Sequence, residues 1–231
     1  MIEENLKKVH ENIAKACEKA NRSIEEITLI NVSKTKPVSM IEECLNCGET
    51  DFGENKVQEL CDKIDALKYE KINWHLIGHL QRNKVKYIIG KTKLIHSVDS
   101  IRLAKQIELE SSKKDHITDI LLEVNVANEE SKFGFQMNEV KDSLKIIAEY
   151  PHVCVKGLMT VAPFTTNPEE NRKFFSQLHD LYVDINEENI DNVNMSILSM
   201  GMTNDYQIAI EEGATMIRVG TGIFGERNYN I

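Results

Sequence analysis

Two lysines follow a strongly apolar segment near the start of the chain. Residues 27–33 read Ile-Thr-Leu-Ile-Asn-Val-Ser, which is typical of a buried parallel strand, and Pro37 ends it because proline cannot donate to a sheet. Lys34 therefore lies at the carboxyl end of a strand, where α/β folds place their chemistry. Burial disfavours its ammonium form, and the free amine condenses with aldehydes to a Schiff base. Lys36 would face the same side of the strand as Lys34, but we expect it on the rim with a hydrated ammonium. The alternative is that both lysines are solvated residues of a loop.

Glycines and hydroxyl side chains follow the last two predicted strands. The residues concerned are Ser199, Gly201, Gly220 and Thr221. Loops at these positions form the usual phosphate site of parallel barrels, because glycine lets the backbone approach an anion and hydroxyls donate to it. A short helix that starts near Gly222 would add free amides. A phosphate site here and a reactive lysine on the adjacent first strand match the two ends of pyridoxal 5′-phosphate.

An arginine on the last predicted strand fits the same ligand. Arg218 can point toward a pyridine nitrogen, where a guanidinium would disfavour protonation and weaken the ring as an electron sink. The alternative is an arginine paired with an acid at the barrel mouth, such as Glu54 or Asp205.

Eight short apolar segments alternate with amphipathic ones along the chain. The predicted strands are residues 27–33, 51–53, 74–78, 94–98, 120–126, 153–159, 195–198 and 216–219. An extra helix over residues 2–20 precedes them. This alternation predicts a parallel (β/α)₈ TIM-type barrel, and we expect one domain over residues 1–231. An open doubly wound sheet is the alternative, but the first strand is not followed by G-x-G-x-x-G.

Composition narrows the classes of partner. The chain has 231 residues and a net charge of −9, which disfavours nonspecific binding to nucleic acid or to an anionic membrane. Its amino terminus is acidic and lacks a signal-peptide core, and no apolar run approaches the length of a membrane span. We therefore expect a cytoplasmic protein that binds neither nucleic acid nor membrane.

Cysteine and histidine spacing gives little support for a metal site. The five cysteines are an odd number, which indicates reduced thiols, and Cys44 and Cys47 have C-x-x-C spacing. A structural zinc site needs four ligands, and no second pair follows, so we expect buried helix cysteines rather than zinc or redox chemistry. For His75 and His79 we expect an interior or hydrogen-bonded role.

Six segments, in order from the first predicted strand to the last, resemble a known protein family. They are residues 32–37, 52–55, 74–84, 156–159, 198–205 and 218–225. The chain resembles the pyridoxal-phosphate homeostasis protein family, a single-domain relative of the barrel domain of alanine racemases and bacterial-type ornithine decarboxylases. The resemblance covers nearly the whole chain. Thr203 stands where the family commonly has serine, which keeps the hydroxyl.

The resemblance implies a role for each site residue. Lys34 would carry pyridoxal phosphate as an internal aldimine, Asn55 would lie beside the ring, and Arg218 would face its nitrogen. The residues that would surround the phosphate are Ser199, Gly201, Gly220 and Thr221. The implied function is vitamin B6 homeostasis and cofactor delivery without established catalysis, with apo forms of pyridoxal-phosphate enzymes as candidate recipients.

The chain is expected to be a monomer without catalytic activity. Racemase and decarboxylase relatives complete their sites with a second, β-rich domain across a dimer interface, whereas this chain ends six residues after Gly225. Tyr206 and Tyr229 are the nearest phenols that could serve as bases, and we expect both to pack locally. The alternatives are a minimal pyridoxal-phosphate enzyme, such as a weak racemase, and a cofactor-free Schiff-base aldolase.

Overall fold

Eight parallel strands close into a barrel in the computed structural model, which describes residues 1–226. The strands are β1 (Thr28–Val32), β2 (Asp51–Glu54), β3 (Asn73–Leu76), β4 (Leu94–Val98), β5 (Thr118–Glu123), β6 (Val153–Met159), β7 (Val193–Ser199) and β8 (Met216–Val219). Each strand pairs with its neighbour in sequence, and β1 pairs with β8 in a register that places Ile30 opposite Arg218. The predicted (β/α)₈ barrel is thus confirmed, and the open sheet is excluded by the pairing of the first strand with the last.

Helices surround the barrel and connect its strands. They are α1 (Ile2–Lys19), α2 (Val38–Asn46), α3 (Val57–Ala66), α4 (Ile101–Ser112), α5 (Val140–Ile147), α6 (Arg172–Glu187), α7 (Tyr206–Glu211) and α8 (Thr221–Phe224). Between β3 and β4 the connection is a 3₁₀ helix, Arg82–Tyr87. Of the helices in residues 1–226, none is both long enough and apolar enough to cross a membrane.

The apolar core has two parts. A large cluster lies between the strands and the helices. A smaller inner cluster consists of Ile30, Val32, Leu94, Leu121, Met159 and Met216. These six residues come from strands that are not all neighbours, so they can meet only inside the barrel. Because alternate residues of a strand face opposite sides, Lys34 continues the inward row of Ile30 and Val32, and Arg218 continues that of Met216.

Helix α1 packs on the helices that adjoin β8 and β1 in the chain, namely α7, α8 and α2. Helix α8 has only four residues, too few to cover these strands. Leu6, Val9 and Ile13 are buried on its inner face. Asn5 Nδ2 donates to the carbonyl oxygen of Ile223 at 2.8 Å. The expected extra amino-terminal helix is therefore a structural part of the barrel wall.

The C-x-x-C pair lies at the end of α2. Cys44 is buried on the helix, and Cys47 at its carboxyl end is exposed, so the expectation of two buried cysteines is wrong for Cys47. All five cysteines lie in the described part of the chain and are free thiols. Within residues 1–226, no cluster of three histidine, cysteine or acidic side chains could hold a metal ion.

Candidate functional site

A cavity of about 470 Å³ opens at the carboxyl ends of the strands. We call it the mouth cavity, and its volume is typical of small-molecule sites. Five of the seven predicted site residues line it, namely Lys34, Asn55, Arg218, Gly220 and Thr221. Thr203, Asn171, Asp205 and Phe164 also contribute to its wall. The structure thus brings together the lysine after β1 and the loop after β8, as the order of the strands predicts.

A buried ion-pair cluster fixes the backbone beside Lys34. Lys63 Nζ on α3 donates to the carbonyl oxygen of Ser33 at 2.8 Å, to Glu54 Oε1 at 2.7 Å and to Glu59 Oε1 at 2.8 Å. The Ser33 hydroxyl donates to Glu54 Oε1 at 2.6 Å. Burial raises the pKa of Glu54, and the ammonium of Lys63 opposes that rise. These bonds hold Ser33 in place and so fix where the Lys34 side chain leaves the backbone.

Lys36 has a different environment from the hydrated rim that the sequence suggested. Its Nζ donates to three backbone carbonyls at the end of α8, those of Phe224 at 3.0 Å, Gly225 at 3.1 Å and Glu226 at 2.9 Å. A lysine ammonium has three donor hydrogens, so all of them have acceptors. Lys36 therefore ties the loop after β1 to the end of α8, and Lys34 is the lysine that lines the mouth cavity.

The Arg218 guanidinium is buried at the floor of the cavity. One terminal nitrogen donates to Ser199 Oγ at 2.6 Å and the other to the carbonyl oxygen of Thr160 at 2.7 Å. Neither of these partners is a carboxylate. Among residues 1–226, the direct pairing of Arg218 with Glu54 or Asp205 that the sequence suggested is therefore wrong. Burial lowers the pKa of Arg218 to about 10, and the nearby carboxylates oppose the shift. The arginine is still a cation at neutral pH and can donate to an acceptor in the cavity.

Three hydrogen-bond donors surround one hydroxyl oxygen where the loops after β7 and β8 meet. Thr203 Oγ1 accepts from the Thr221 hydroxyl at 3.1 Å and from the amides of Gly220 and Gly222 at 3.4 Å each. A Cβ on Gly222 would lie only 3.0 Å from a methyl group of Val219, so this backbone packs closely. Hydroxyls and amides gathered in this way suit an anion such as a phosphate. Thr203 therefore adds a hydroxyl to the site that the sequence-based set of site residues lacks.

Ser199 and Gly201 lie outside the cavity wall. The Ser199 hydroxyl is buried between Arg218 and His96, whose Nδ1 is 3.0 Å away. Gly201 has a φ of +91°, and a Cβ there would lie 2.6 Å from that of Ala209 on α7. The structure therefore gives Ser199 a role in holding Arg218 and gives Gly201 a role in the packing of α7. Their contacts with a phosphate stay predictions.

Asn55 reaches the cavity from the loop after β2. A Cβ on Gly78 would lie 2.6 Å from the carbonyl oxygen of Asn55, so only glycine lets the end of β3 pack against it. Among the phenols named from the sequence, Tyr206 is buried and its hydroxyl accepts from Asn12 Nδ2 at 3.2 Å, which agrees with local packing. Tyr229 lies outside the described residues.

Glu123 is a titratable group at the barrel mouth that the sequence reasoning missed. It ends β5 and has the same parity as Leu121 of the inner cluster, so its side chain faces the interior. Burial and the charge of Asp99 raise its pKa to about 7, while the cations Arg218 and Lys132 lower it. The only signal in the sequence was its position at the end of a predicted strand.

Relatives identified by sequence extend over the same length as this chain. The family described as alanine racemase, N-terminal domain, matches residues 5–228. The pyridoxal phosphate homeostasis protein of Aquifex aeolicus (strain VF5) is 46% identical over 226 residues, which cover 98% of this chain and 98% of that protein.

Solved structures give two degrees of similarity. PipY of Synechococcus elongatus PCC7942, solved with PLP bound, superimposes with a TM-score of 0.85 at 30% identity over 97% of this chain and 100% of PipY. The alanine racemase of Clostridium difficile 630 superimposes with a TM-score of 0.74 at 13% identity, over 98% of this chain but 58% of the racemase. At that identity the racemase indicates a shared barrel fold alone.

Proposed function

Because this chain belongs to the pyridoxal phosphate homeostasis protein family, we propose that it binds pyridoxal 5′-phosphate in the mouth cavity. Lys34 would be the point of covalent attachment. The observation that carries this proposal is that an amine and a cluster of anion-binding donors face one cavity from adjacent strands, with Lys34 after β1 and Thr221 after β8. Pyridoxal phosphate supplies an aldehyde that bonds to an amine and a pyridine ring that withdraws electrons.

The residues of the mouth cavity fit the parts of this cofactor. Lys34 Nζ would bond to the aldehyde carbon, and Asn55 would lie beside the ring. The hydroxyls of Thr203 and Thr221 and the amide of Gly220 would bind the phosphate, because the Thr221 hydroxyl and the Gly220 amide lie together around Thr203 Oγ1, to which both donate. Because these donors are uncharged, hydrogen bonds rather than an ion pair would hold the phosphate at this end of the cavity.

Arg218 favours holding the cofactor over activating it. A guanidinium can only donate, so an arginine that faces the pyridine nitrogen would leave that nitrogen without a proton. An unprotonated ring is a weaker electron sink. We therefore propose a protein of vitamin B6 homeostasis that stores or delivers the cofactor to apo forms of pyridoxal-phosphate enzymes, acts as a monomer and catalyses no reaction of its own.

A weak amino-acid racemase is the second candidate, and Glu123 is the observation that favours it. A carboxyl with a pKa near 7 at the barrel mouth can take and return a proton at neutral pH. Long incubation with L-alanine, followed by chiral chromatography, separates the two functions. Racemisation that disappears in Lys34→Ala would establish the enzyme, whereas rates equal to those of free cofactor would support the carrier.

Reduction and peptide mapping test the attachment point. Purified protein incubated with pyridoxal phosphate should turn yellow, and borohydride should fix one pyridoxyl group on Lys34. Lys36→Ala is the matched control, because it removes a lysine two residues away that is bonded to carbonyls, and it should be labelled like the wild type. Label on Lys36, or no chromophore at all, would contradict the proposal. Sedimentation in the same buffer tests the monomer.

A further inference from the structure

A chain of hydrogen bonds crosses the inside of the barrel from the mouth cavity to the opposite end. Arg218 donates to Ser199 Oγ at 2.6 Å, which lies 3.0 Å from His96 Nδ1. His96 Nε2 lies 2.9 Å from His75 Nδ1, and His75 Nε2 lies 3.0 Å from Asp51 Oδ1. We call Ser199, His96 and His75 the histidine relay. Its end point, Asp51, is the first residue of β2 and so lies at the amino-terminal end of the strands.

The chemistry of these groups fixes the direction of every bond. A carboxylate only accepts, so His75 must donate from Nε2 to Asp51, and its neutral ring must accept at Nδ1 from His96. His96, which is also neutral, therefore accepts at Nδ1 from the Ser199 hydroxyl, and that hydroxyl accepts from Arg218. Each bond in the series therefore has its donor on the side of Arg218, and both histidines have the same tautomer.

The environment keeps both histidines uncharged. His75 and His96 are completely buried. Burial lowers the pKa of both, and His96 has two further groups that lower it, His75 and Arg218. Burial alone would raise the pKa of Asp51, but hydrogen bonds from His75, Asn73 and Thr50 hold it well below its usual range. A cation, two neutral rings and an anion thus form one ordered series.

Simple filling of the core does not account for this series. The neighbouring interior positions hold apolar side chains such as Leu94 and Met216, which occupy space without any need for partners. A buried polar chain is costly unless each member is satisfied. Here every ring nitrogen and the Ser199 hydroxyl has a partner, and the series ends on Arg218, a buried cation that lines the mouth cavity.

We propose that His75 and His96 are positioning residues through which Asp51 sets the orientation of the Arg218 guanidinium toward a ligand in the mouth cavity. This inference rests on the proposed function, because the ligand group that Arg218 faces is the pyridine nitrogen. The relay acts on the ring side of the ligand and leaves the phosphate side untouched. A substitution of Asp51, at the amino-terminal end of the strands, should therefore alter ligand binding in the mouth cavity.

Nitrogen NMR of isotopically labelled histidines tests the relay without any cofactor. Both rings should be neutral at neutral pH, with the hydrogen on Nε2. Asp51→Asn replaces the acceptor that imposes the direction with an amide that can also donate, so part of the His75 and His96 population should then carry its hydrogen on Nδ1. A hydrogen on Nδ1 of either ring in the wild type, a protonated ring at neutral pH, or unchanged tautomers in Asp51→Asn would overturn the proposal.

Paired aspartate variants test the effect on the ligand. Asp51→Asn keeps the shape of the side chain but removes the anionic end of the relay. We expect roughly tenfold weaker binding of pyridoxal phosphate, as for coupled groups of one network, together with a shifted absorbance maximum of the bound cofactor. Asp119→Asn is the control, since Asp119 also lies near the amino-terminal end of a strand but pairs with Lys156. It should bind like the wild type.

The outcomes separate this inference from the proposed function. A wild-type protein that binds no pyridoxal phosphate would refute the proposed function, while the NMR measurement would still decide whether the relay exists. Normal affinity and an unchanged spectrum in Asp51→Asn would refute the positioning role. Should that variant fail to fold, Ser199→Ala breaks the relay beside Arg218, and unchanged binding and absorbance there would refute it equally.

Discussion

The hydroxyls of Thr203 and Ser199 lie only four residues apart but serve different parts of the site. Thr203 Oγ1 lies among the amides and the hydroxyl that follow β8, whereas Ser199 Oγ lies beneath Arg218. The first faces the region suited to a phosphate and the second supports the residue that would face the ring. The two hydroxyls should therefore differ in their effect on phosphorylated and unphosphorylated ligands.

The affinities of variants for pyridoxal phosphate and for unphosphorylated pyridoxal measure this difference. Thr203→Val and Thr221→Val should each weaken pyridoxal phosphate binding by about 1.5–3 kcal/mol, because each removes a hydrogen bond to a charged group, and should leave pyridoxal binding nearly unchanged. Ser199→Ala should weaken both ligands to the same extent. Absorbance titrations with the two ligands give the comparison. A loss specific to pyridoxal phosphate in Ser199→Ala would instead restore the contact predicted from the sequence.

Glu123 should make stability depend on pH. Its pKa rises from 4.5 to about 7 on folding because it is buried near Asp99. Between these values the folded protein holds a proton that the unfolded chain has released, so the free energy of unfolding falls as pH rises, by on the order of 3 kcal/mol in total. Denaturant unfolding of the wild type and Glu123→Gln at a series of pH values checks this. The variant should lack the decline, and parallel curves would refute the assignment.

Individual site residues were predictable where a strand end alone decides their place. Lys34, Gly220 and Thr221 follow apolar strands directly, so the fold carries them to the mouth. Ser199 was harder, because its orientation depends on the arginine and the histidine that it contacts inside the barrel. Those partners lie on other strands, and a single sequence does not show which of them touch.

At the scale of elements, α3 anchors the loop that carries Lys34. Lys63 on α3 bridges Glu54 and Glu59 and reaches the carbonyl of Ser33, and the Thr35 amide donates to Glu59. Both residues that flank Lys34 are thus tied to one buried cluster. Glu54 Oε2 is buried and has no partner within residues 1–226, so the carboxylate depends strongly on the Lys63 ammonium.

Removal of that ammonium should be costly. Lys63→Met leaves the buried Glu54 carboxyl without its cation and removes three hydrogen bonds, and we expect a loss of about 3–5 kcal/mol in the free energy of unfolding. Lys141→Met is the matched control, because Lys141 on α5 also bonds a carboxylate, Glu188, but at the surface. It should cost about 1 kcal/mol or less. Urea unfolding of both variants measures the two losses in the free energy of unfolding. Equal losses would contradict the buried character of the cluster around Lys63.

Element boundaries show where pattern and structure diverge. The predicted fifth strand runs to residue 126, whereas β5 ends at Glu123. Val124 and Val126 are buried, which explains the apolar pattern, but Val124 forms only an isolated bridge with Phe135 in the following loop. Apolar residues in a buried loop look like a continued strand, because burial rather than sheet pairing sets the pattern. The other seven strands occur where alternation predicted them, within a few residues.

At the scale of the molecule, α1 completes the wall of the barrel. Its apolar face packs on α7 and α8, and Lys19 forms an ion pair with Glu211 at 2.7 Å. Leu6→Ala should lower the free energy of unfolding by about 2–5 kcal/mol, since it opens a cavity beneath the helix. Lys8→Ala changes an exposed residue of the same helix and should have little effect. Comparable losses in the two variants would show that α1 is only loosely attached.

The seam between β1 and β8 orders events during synthesis of the chain. The bonds of Lys36 to the end of α8 begin at Phe224, 188 residues further along. A nascent chain therefore exposes β1 long before its partner strand exists, and such distant pairings form slowly. A cofactor held by Lys34 on one side and Thr221 on the other would contact the ends of both β1 and β8. It would therefore stabilise the closed barrel and not chains in which these two strands have yet to pair. Cofactor supply during translation would then influence how much of the newly made protein reaches its closed form.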